Sequence, residues 1–260
     1  MHKVIHKLIN AIFIGLLFGF WGCMQPPIDF SNKSQLPSHQ LLDSLLTIHV
    51  ENNGKVDYQG FIKDSVHFGR YLEQLKLNPP DTNTWSREEQ MAYWINAYNA
   101  FTIKLIIDNY PVKSIKDLNP TISVPFVNSI WDVKFIDLGG KKFSLNNIEH
   151  DILRGHFKDA RIHFAINCAS ISCPRLLNKA YFADSLDQVL DKQAVDFIND
   201  KTKNEISIEH IKVSKIFLWF SGDFKKNGTL IDFLNRYADV QIKKTAEVDY
   251  MAYNWLLNSK

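Results

Sequence analysis

The chain has 260 residues, of which 45% are hydrophobic and 13% aromatic, enough apolar material for one globular domain with a large core. Its formal charge of +2 comes from Lys3 and Lys7, because residues 1–22 contain no acidic side chain, so residues 23–260 are formally neutral. The basic residues form no cluster with interleaved aromatics, which argues against nucleic acid as a partner.

Residues 1–22 are typical of an export signal. Two lysines precede an apolar run over residues 8–22, which is shorter than the roughly 20 residues of a spanning helix. The run ends in a glycine followed by Cys23. This resembles a bacterial lipoprotein signal, in which that cysteine is lipidated, although Phe20 and Trp21 depart from the usual pattern. An ordinary cleaved signal and an uncleaved anchor are the alternatives.

We therefore predict three parts of the chain. Residues 1–22 are the signal peptide. Residues 23–38, rich in Pro, Ser, Asn and Gln, are a lipidated N-terminus and flexible tether that binds the membrane through Cys23. Residues 39–260 are the globular domain, and they would lie outside the cytoplasmic membrane, in the periplasm or at the cell surface.

Apolar periodicity and turn residues predict the elements of the domain. We predict helices over residues 41–50, 61–77, 86–109, 146–154, 184–200, 216–224 and 229–237. A strand is predicted over residues 161–167, and a short hairpin over residues 206–213. A further hairpin is predicted from strands over residues 130–136 and 141–145, joined at Gly139 and Gly140. Helices and hairpins alternate without regular βαβ units. We therefore predict an α+β fold in which a central buried helix packs on short antiparallel strands and hairpins.

The helix over residues 86–109 has the strongest signals. Ser86 and Glu89 form a capping box, and the interior is apolar on nearly all sides. Asn96 and Asn99 lie three residues apart on one face of this helix. They either bind backbone groups of a neighbouring loop or line a polar cleft, where they would hold the cysteine loop or polarise a substrate carbonyl.

Cys168 lies where the predicted strand gives way to a loop of small residues, a position from which a thiol can be held rigidly at a cleft. Cys173 follows in the same loop, so a disulfide is the alternative. Pro174 restricts Cys173 to extended conformations and disfavours a tight disulfide loop. We therefore expect a free and reactive thiol at Cys168. The cysteines have no second paired motif, so no metal site is expected, and no cofactor is expected either.

A thiol nucleophile needs a base and a group that orients it. His163 is the favoured base, although strand alternation places it on the face opposite Cys168, with His150 and His156 as alternatives. Glu149, on the apolar side of its helix, would orient the base. A buried carboxylate needs a cation, for which Arg161 or a protonated His163 would serve. A purely structural ion pair is the simpler interpretation of Glu149.

The chain resembles the family called domain of unknown function 547. The segments that carry the resemblance are residues 93–99 (YWINAYN), 148–154 (IEHDILR), 161–174 (RIHFAINCASISCP), 217–224 (FLWFSGDF) and 253–258 (YNWLLN). In the last segment, Asn254 and Leu256 replace the family's Asp and Ser. The resemblance implies little about activity, because the family is defined by its sequence. Its bacterial members commonly carry export or lipoprotein signals, which agrees with the prediction for Cys23.

Two classes of function remain open at this point. The first is a thiol-dependent hydrolase or acyltransferase of the cell envelope, acting on a peptide or amide bond, with Cys168, His163 and Glu149 as catalytic residues. In it, Asn96, Asn99 and Arg161 would contact the substrate or line the cleft. The second is a non-catalytic envelope module that binds a peptide, a glycan or a protein partner in a polar cleft over the same central helix.

Overall fold

The structure is a computed structural model, and it describes residues 35–120 and 128–260. The predicted signal peptide, Cys23 and the tether as far as residue 34 lie outside the described residues. Within the described part, no helix combines the length and the apolar character needed to cross a membrane.

Helices are the most abundant elements of the described fold, and their order follows the prediction closely. The α-helices are α1 (Gln40–His49), α2 (Tyr58–Lys63), α3 (Ser65–Leu77), α4 (Arg87–Asp108), α5 (Leu186–Ile198), α6 (Ile216–Trp219), α7 (Ser221–Phe224) and α8 (Leu230–Leu234). A π-helix spans Asn147–Phe157, and 3-10 helices span Ile115–Leu118, Ile130–Asp132, Ala160–Phe164 and Ala183–Ser185. The single helix predicted over residues 61–77 is two helices, α2 and α3, which meet at Asp64.

Helix α4 is the centre of the fold, as predicted. Its capping box is formed: the Ser86 hydroxyl accepts the Glu89 amide at 3.1 Å, and the Glu89 carboxylate accepts the Ser86 amide at 2.7 Å. Residues on every side of its middle turns are buried. Its main neighbours are helices α2 and α3, the π-helix and the 3-10 helix Ala183–Ser185. This packing fixes the side chains of α4 that reach the candidate site.

The strands of the described residues are short and form two small sheets. Strands β1 (Ile136–Leu138) and β2 (Lys141–Phe143) form an antiparallel hairpin around Gly139 and Gly140, as predicted. The bounds predicted for the first strand, residues 130–136, are wrong, because Ile130–Asp132 is a 3-10 helix and the strand begins only at Ile136. Strands β3 (Glu205–Ile206) and β4 (His210–Val213) form the second predicted hairpin, and β5 (Glu247–Tyr250) adds to β4 in parallel. The α+β class is therefore confirmed.

The strand predicted over residues 161–167 is wrong. Ala160–Phe164 is a 3-10 helix that begins where the Asp159 side chain accepts the Arg161 amide at 2.9 Å. Ile162, His163 and Phe164 are all buried, so the alternation of polar and apolar residues does not mark two faces of a strand. The argument that strand parity separates His163 from Cys168 therefore fails as well.

The described residues form two hydrophobic clusters. The larger one surrounds α4 and extends from α1 to the N-terminal part of α5. The smaller one is rich in aromatic side chains and joins the C-terminal part of α5 to the sheet of β3, β4 and β5 and to helices α6, α7 and α8. The candidate site lies where these two clusters meet.

Candidate functional site

An open cavity of about 170 Å³ lies at the junction of the two clusters. Its wall combines aromatic side chains, polar side chains and both cysteines. The aromatic residues are Tyr98, Trp131, Trp219, Phe220, Tyr253 and Trp255. The polar residues and cysteines are Asn146, Glu149, His150, His163, Cys168 and Cys173. The cavity therefore collects all three predicted catalytic residues, Cys168, His163 and Glu149.

Cys168 and Cys173 are joined in a disulfide, with Cα atoms 6.3 Å apart. The expectation of a free thiol at Cys168 is therefore wrong for this structure. The loop can close because Ala169 adopts a left-handed conformation, with φ of 58°, which turns the chain back at once. Pro174 lies beyond the loop and does not prevent the closure. Cys168 remains partly exposed, whereas Cys173 is buried.

The cysteine loop, residues 168–173, is fixed to the central helix. The Asn99 side-chain amide donates to the Ala165 carbonyl at 2.9 Å, and its oxygen accepts the Asn167 backbone amide at 2.9 Å. Asn167 in turn spans the loop: its side chain donates to the Pro174 carbonyl at 2.7 Å and accepts the Ala169 amide at 2.8 Å. Asn99 therefore holds the segment that leads into Cys168, and it does not line the cavity.

Asn96 has the same role one helical turn earlier. Its side chain donates to the Tyr181 carbonyl at 2.8 Å and accepts the Tyr181 amide at 2.9 Å. The side-chain amides of Asn96 and Asn99 therefore both bind backbone groups of neighbouring segments. This is the first of the two roles that the sequence predicts for them. Asn96 does not line the cavity either.

The C-terminal segment, residues 253–258, packs along the cysteine loop. The Ile171 amide donates to the Leu256 carbonyl at 2.8 Å, and the Asn258 amide donates to the Ala169 carbonyl at 3.2 Å. This places the Tyr253 hydroxyl 3.2 Å from the Cys173 sulfur and 3.5 Å from the Cys168 sulfur. Burial raises the pKa of Tyr253 well above its usual value, so its hydroxyl stays protonated.

Glu149 is buried in the cavity wall without an ion-pair partner among the described residues. Burial raises the pKa of Glu149 to about 7, against an opposing effect of the Arg154 charge. The Tyr98 hydroxyl donates to its carboxyl group at 3.4 Å. Neither Arg161 nor His163 pairs with Glu149, so the predicted structural ion pair is absent. Glu149 is instead an acid that is protonated below neutral pH.

His163 is buried and bonded to a carboxylate. Its Nε2 donates to Asp223 Oδ2 at 2.8 Å, and the ring stacks on Phe220 with centroids 4.1 Å apart. Arg154 donates to the same Asp223 oxygen at 2.6 Å. Partial burial would raise the pKa of Asp223, but the bonds from His163 and Arg154 hold it well below its usual range. Burial lowers the pKa of His163 despite its bond to Asp223, which favours the neutral form of the ring.

Arg161 lies away from the cavity. Its guanidinium donates to Asp159 at 2.7 Å, to Asp187 at 2.6 Å and to Asp191 at 2.8 Å. Two of these carboxylates belong to α5, so Arg161 ties the 3-10 helix Ala160–Phe164 to α5. This is a structural role, and the structure does not bring Arg161 together with the other predicted site residues.

The alternative bases occupy different places. His150 lines the cavity, and its Nδ1 accepts from the Arg154 guanidinium at 2.8 Å. Burial and the nearby Arg154 charge lower the pKa of His150, which favours the neutral form of its ring as well. His156 packs edge-on against Phe157 and does not line the cavity. The described structure bonds no histidine nitrogen to the Cys168 sulfur.

The aromatic side of the cavity was not predicted from the sequence. Trp219, Tyr253 and Trp255 pack on one another with ring centroids 4.6 to 5.8 Å apart. Trp131 packs edge-on against Trp255 at 5.6 Å, and the Lys116 ammonium lies over the Trp255 ring at 5.1 Å. Nearly half of the Trp219 surface is exposed. Trp219, Tyr253 and Trp255 lie in two of the segments that carry the family resemblance, residues 217–224 and 253–258, and this is the sequence signal that points to them.

The donor set does not match a metal centre. Among the described residues, no three His, Cys, Asp or Glu side chains are placed to hold a metal ion. Asp223, the carboxylate that contacts His163, is also bonded to Arg154.

No curated protein and no solved structure matches the chain. A family model does match, and it covers the part of the chain that contains α4, the π-helix, the cysteine loop and α5. This confirms the family resemblance over the first three of the five segments: residues 82–198 match the family described as Protein of unknown function, DUF547.

Proposed function

We propose that the protein is a binding module whose cavity takes a neutral, hydrogen-bonding ligand, and that a short glycan is the class that fits best. The observation that carries this proposal is the pairing of aromatic rings with uncharged polar groups in one open cavity. Trp219, Tyr253 and Trp255 offer apolar faces, while Asn146 and Glu149 offer hydrogen-bonding groups. Such a combination of apolar faces and a few convergent polar groups is typical of small-molecule sites.

The titratable groups that line the cavity, together with Asp223, favour an uncharged ligand. Burial lowers the pKa of both His150 and His163, which favours the neutral form of each ring. Asp223 is bonded to both His163 and Arg154, so its charge is compensated within the protein. Glu149 is protonated below its raised pKa of about 7, and in that form its carboxyl group both donates and accepts. A sugar hydroxyl or an acetamido group suits such a wall.

The geometry favours a binding module over a thiol-dependent hydrolase or acyltransferase. A nucleophilic cysteine needs a thiolate and a base within hydrogen-bond reach. Here the Cys168 sulfur is bonded to Cys173, and the Nε2 of the favoured base, His163, is bonded to Asp223. Glu149 and His163 then serve as ligand-contacting groups of the cavity wall.

Replacing Trp219 with alanine is expected to weaken ligand binding about 10-fold, because one aromatic contact contributes about 1–1.5 kcal/mol. The probe is N,N′-diacetylchitobiose, titrated into the protein and followed by isothermal titration calorimetry. Leu218→Ala is the matched control, since Leu218 neighbours Trp219 on α6, is equally exposed at 45%, and does not line the cavity.

The proposal fails if wild-type protein does not bind the disaccharide, or if both variants bind it with the same affinity. Trialanine serves as the comparison probe. If the wild type bound trialanine instead of the disaccharide, and Trp219→Ala no longer bound trialanine, the cavity would be a peptide-binding site.

We further propose that the domain is exported and tethered to the membrane by a lipid at Cys23. The basic start, the short apolar run and the cysteine after a small residue support this. Metabolic labelling with a palmitate analogue is expected to mark the wild type and not Cys23→Ala. The double variant Cys168→Ala, Cys173→Ala should keep the label. Equal labelling of wild type and Cys23→Ala would rule out the lipid anchor.

A further inference from the structure

The two sulfurs of the disulfide have unequal surroundings. Cys168 is partly exposed and lies in the cavity wall, so a molecule in the cavity can approach its sulfur. Cys173 also lines the cavity, but it is buried, with 4% of its surface exposed. An incoming thiolate attacks a disulfide along the S–S axis at the accessible sulfur, and the other sulfur leaves. Access therefore selects Cys168 as the attacked sulfur and Cys173 as the leaving one.

Hydrogen-bond donors favour the same direction. The Cys168 backbone amide points to the Cys173 sulfur at 3.1 Å, and the Tyr253 and Ser170 hydroxyls lie 3.2 and 3.3 Å from it. The same two hydroxyls are farther from the Cys168 sulfur, at 3.5 Å each. Hydrogen bonds to a charged group stabilise that form, so these donors lower the free energy of a Cys173 thiolate. A leaving group that is a stabilised thiolate leaves faster.

We propose that this disulfide is a reactive centre for thiol–disulfide exchange with a small thiol that enters the cavity. The thiolate of the small thiol attacks the Cys168 sulfur and forms a mixed disulfide with it. The Cys168–Cys173 bond breaks, and its electron pair leaves on the Cys173 sulfur as a thiolate. One S–S bond is formed and one is broken, so the step needs no further oxidant or reductant.

The exchange centre is independent of the glycan proposal. It requires access to the Cys168 sulfur and donors at the Cys173 sulfur, and neither depends on which neutral ligand the cavity takes. The exchange assay contains no glycan, so failure of either proposal leaves the other to be judged by its own experiment.

The regiochemistry can be measured with reduced glutathione. Oxidised, folded protein is incubated with excess glutathione near pH 8, quenched with acid, alkylated with N-ethylmaleimide and analysed by peptide mass spectrometry. We expect glutathione on Cys168 and N-ethylmaleimide on Cys173, with at least about a 10-fold preference for this arrangement. Equal labelling of the two cysteines, glutathione mainly on Cys173, or no reaction before denaturation would each overturn the proposal.

The role of the hydrogen-bond donors at the Cys173 sulfur can be tested by measuring how fast the mixed disulfide forms. Removing the Tyr253 hydroxyl in Tyr253→Phe should slow formation of the mixed disulfide about 3- to 10-fold, because a hydrogen bond to a charged group corresponds to about one to two pKa units of the leaving thiol. Tyr250→Phe, on β5 and outside the cavity wall, is the matched control and should react like the wild type. Thermal melts show whether each variant is folded. If Tyr253→Phe were folded and reacted as fast as Tyr250→Phe, the hydrogen-bond donors would have no effect on the exchange, and the proposal would be contradicted.

Discussion

Asn99→Leu is expected to lower the free energy of unfolding by about 2–5 kcal/mol, since each buried polar group left without a partner costs about 1–3 kcal/mol. The side chain is 4% exposed and serves two backbone groups, the Ala165 carbonyl and the Asn167 amide. Leucine can bind neither of them. Urea denaturation followed by circular dichroism would measure the change.

Two further variants make this result interpretable. Asn96→Leu removes the two hydrogen bonds between the Asn96 side chain and the Tyr181 backbone, and it should destabilise the fold by a similar amount. Asn83→Leu makes the same chemical change at an exposed position and should change the free energy of unfolding by less than about 0.5 kcal/mol. If Asn99→Leu were as stable as Asn83→Leu, the assignment of Asn99 as the anchor of the cysteine loop would be wrong.

Glu149→Gln is expected to change how stability depends on pH. The folded-state pKa of Glu149 is raised from 4.5 to about 7, so the unfolded chain releases this proton at lower pH than the folded protein. The favourable contribution of the protonated group is complete below about pH 4.5 and is lost as the pH rises to about 7. The total loss is about 3 kcal/mol, at 1.36 kcal/mol for each pKa unit.

The comparison of wild type and Glu149→Gln isolates this contribution, because the other titrating groups are common to both. Relative to the wild type, the Gln variant should gain about 3 kcal/mol between pH 4.5 and pH 8, measured by urea denaturation at both values. Parallel pH profiles of the two proteins would mean that Glu149 is not held in a desolvated site.

The parts of the fold that the sequence predicts well are those fixed by local signals. The capping box of Ser86 and Glu89 and the apolar interior of α4 are contained within one helix. The hairpin of β1 and β2 is set by Gly139 and Gly140, both of which have positive φ. In each case, the residues that determine the element are neighbours along the chain.

The misassigned segment shows where such reasoning ends. Residues 161–167 alternate like a strand, yet Arg161 is bound by Asp187 and Asp191 from α5, and His163 is bound by Asp223 from α7. These partners lie 26 to 60 residues away, and they stabilise a 3-10 turn that periodicity does not reveal. The candidate site has the same limit. Glu149 and Cys168 could be predicted from their residue types, whereas their aromatic neighbours come from distant segments that only the fold brings together.

The attachment of the C-terminal segment to the cysteine loop sets the order in which the domain can become functional. Tyr58 and Asn258, 200 residues apart, share a hydrogen bond of 2.7 Å, and the Val56 amide donates to the Asn258 carbonyl. The final residues therefore connect the start of the domain to the cysteine loop, and they carry Tyr253 and Trp255 into the cavity wall. Such long-range contacts form late, because the entropy cost of closing the chain between them comes first. The cavity wall includes Tyr253 and Trp255 and is complete only when the final residues are in place, so ligand binding would report complete folding.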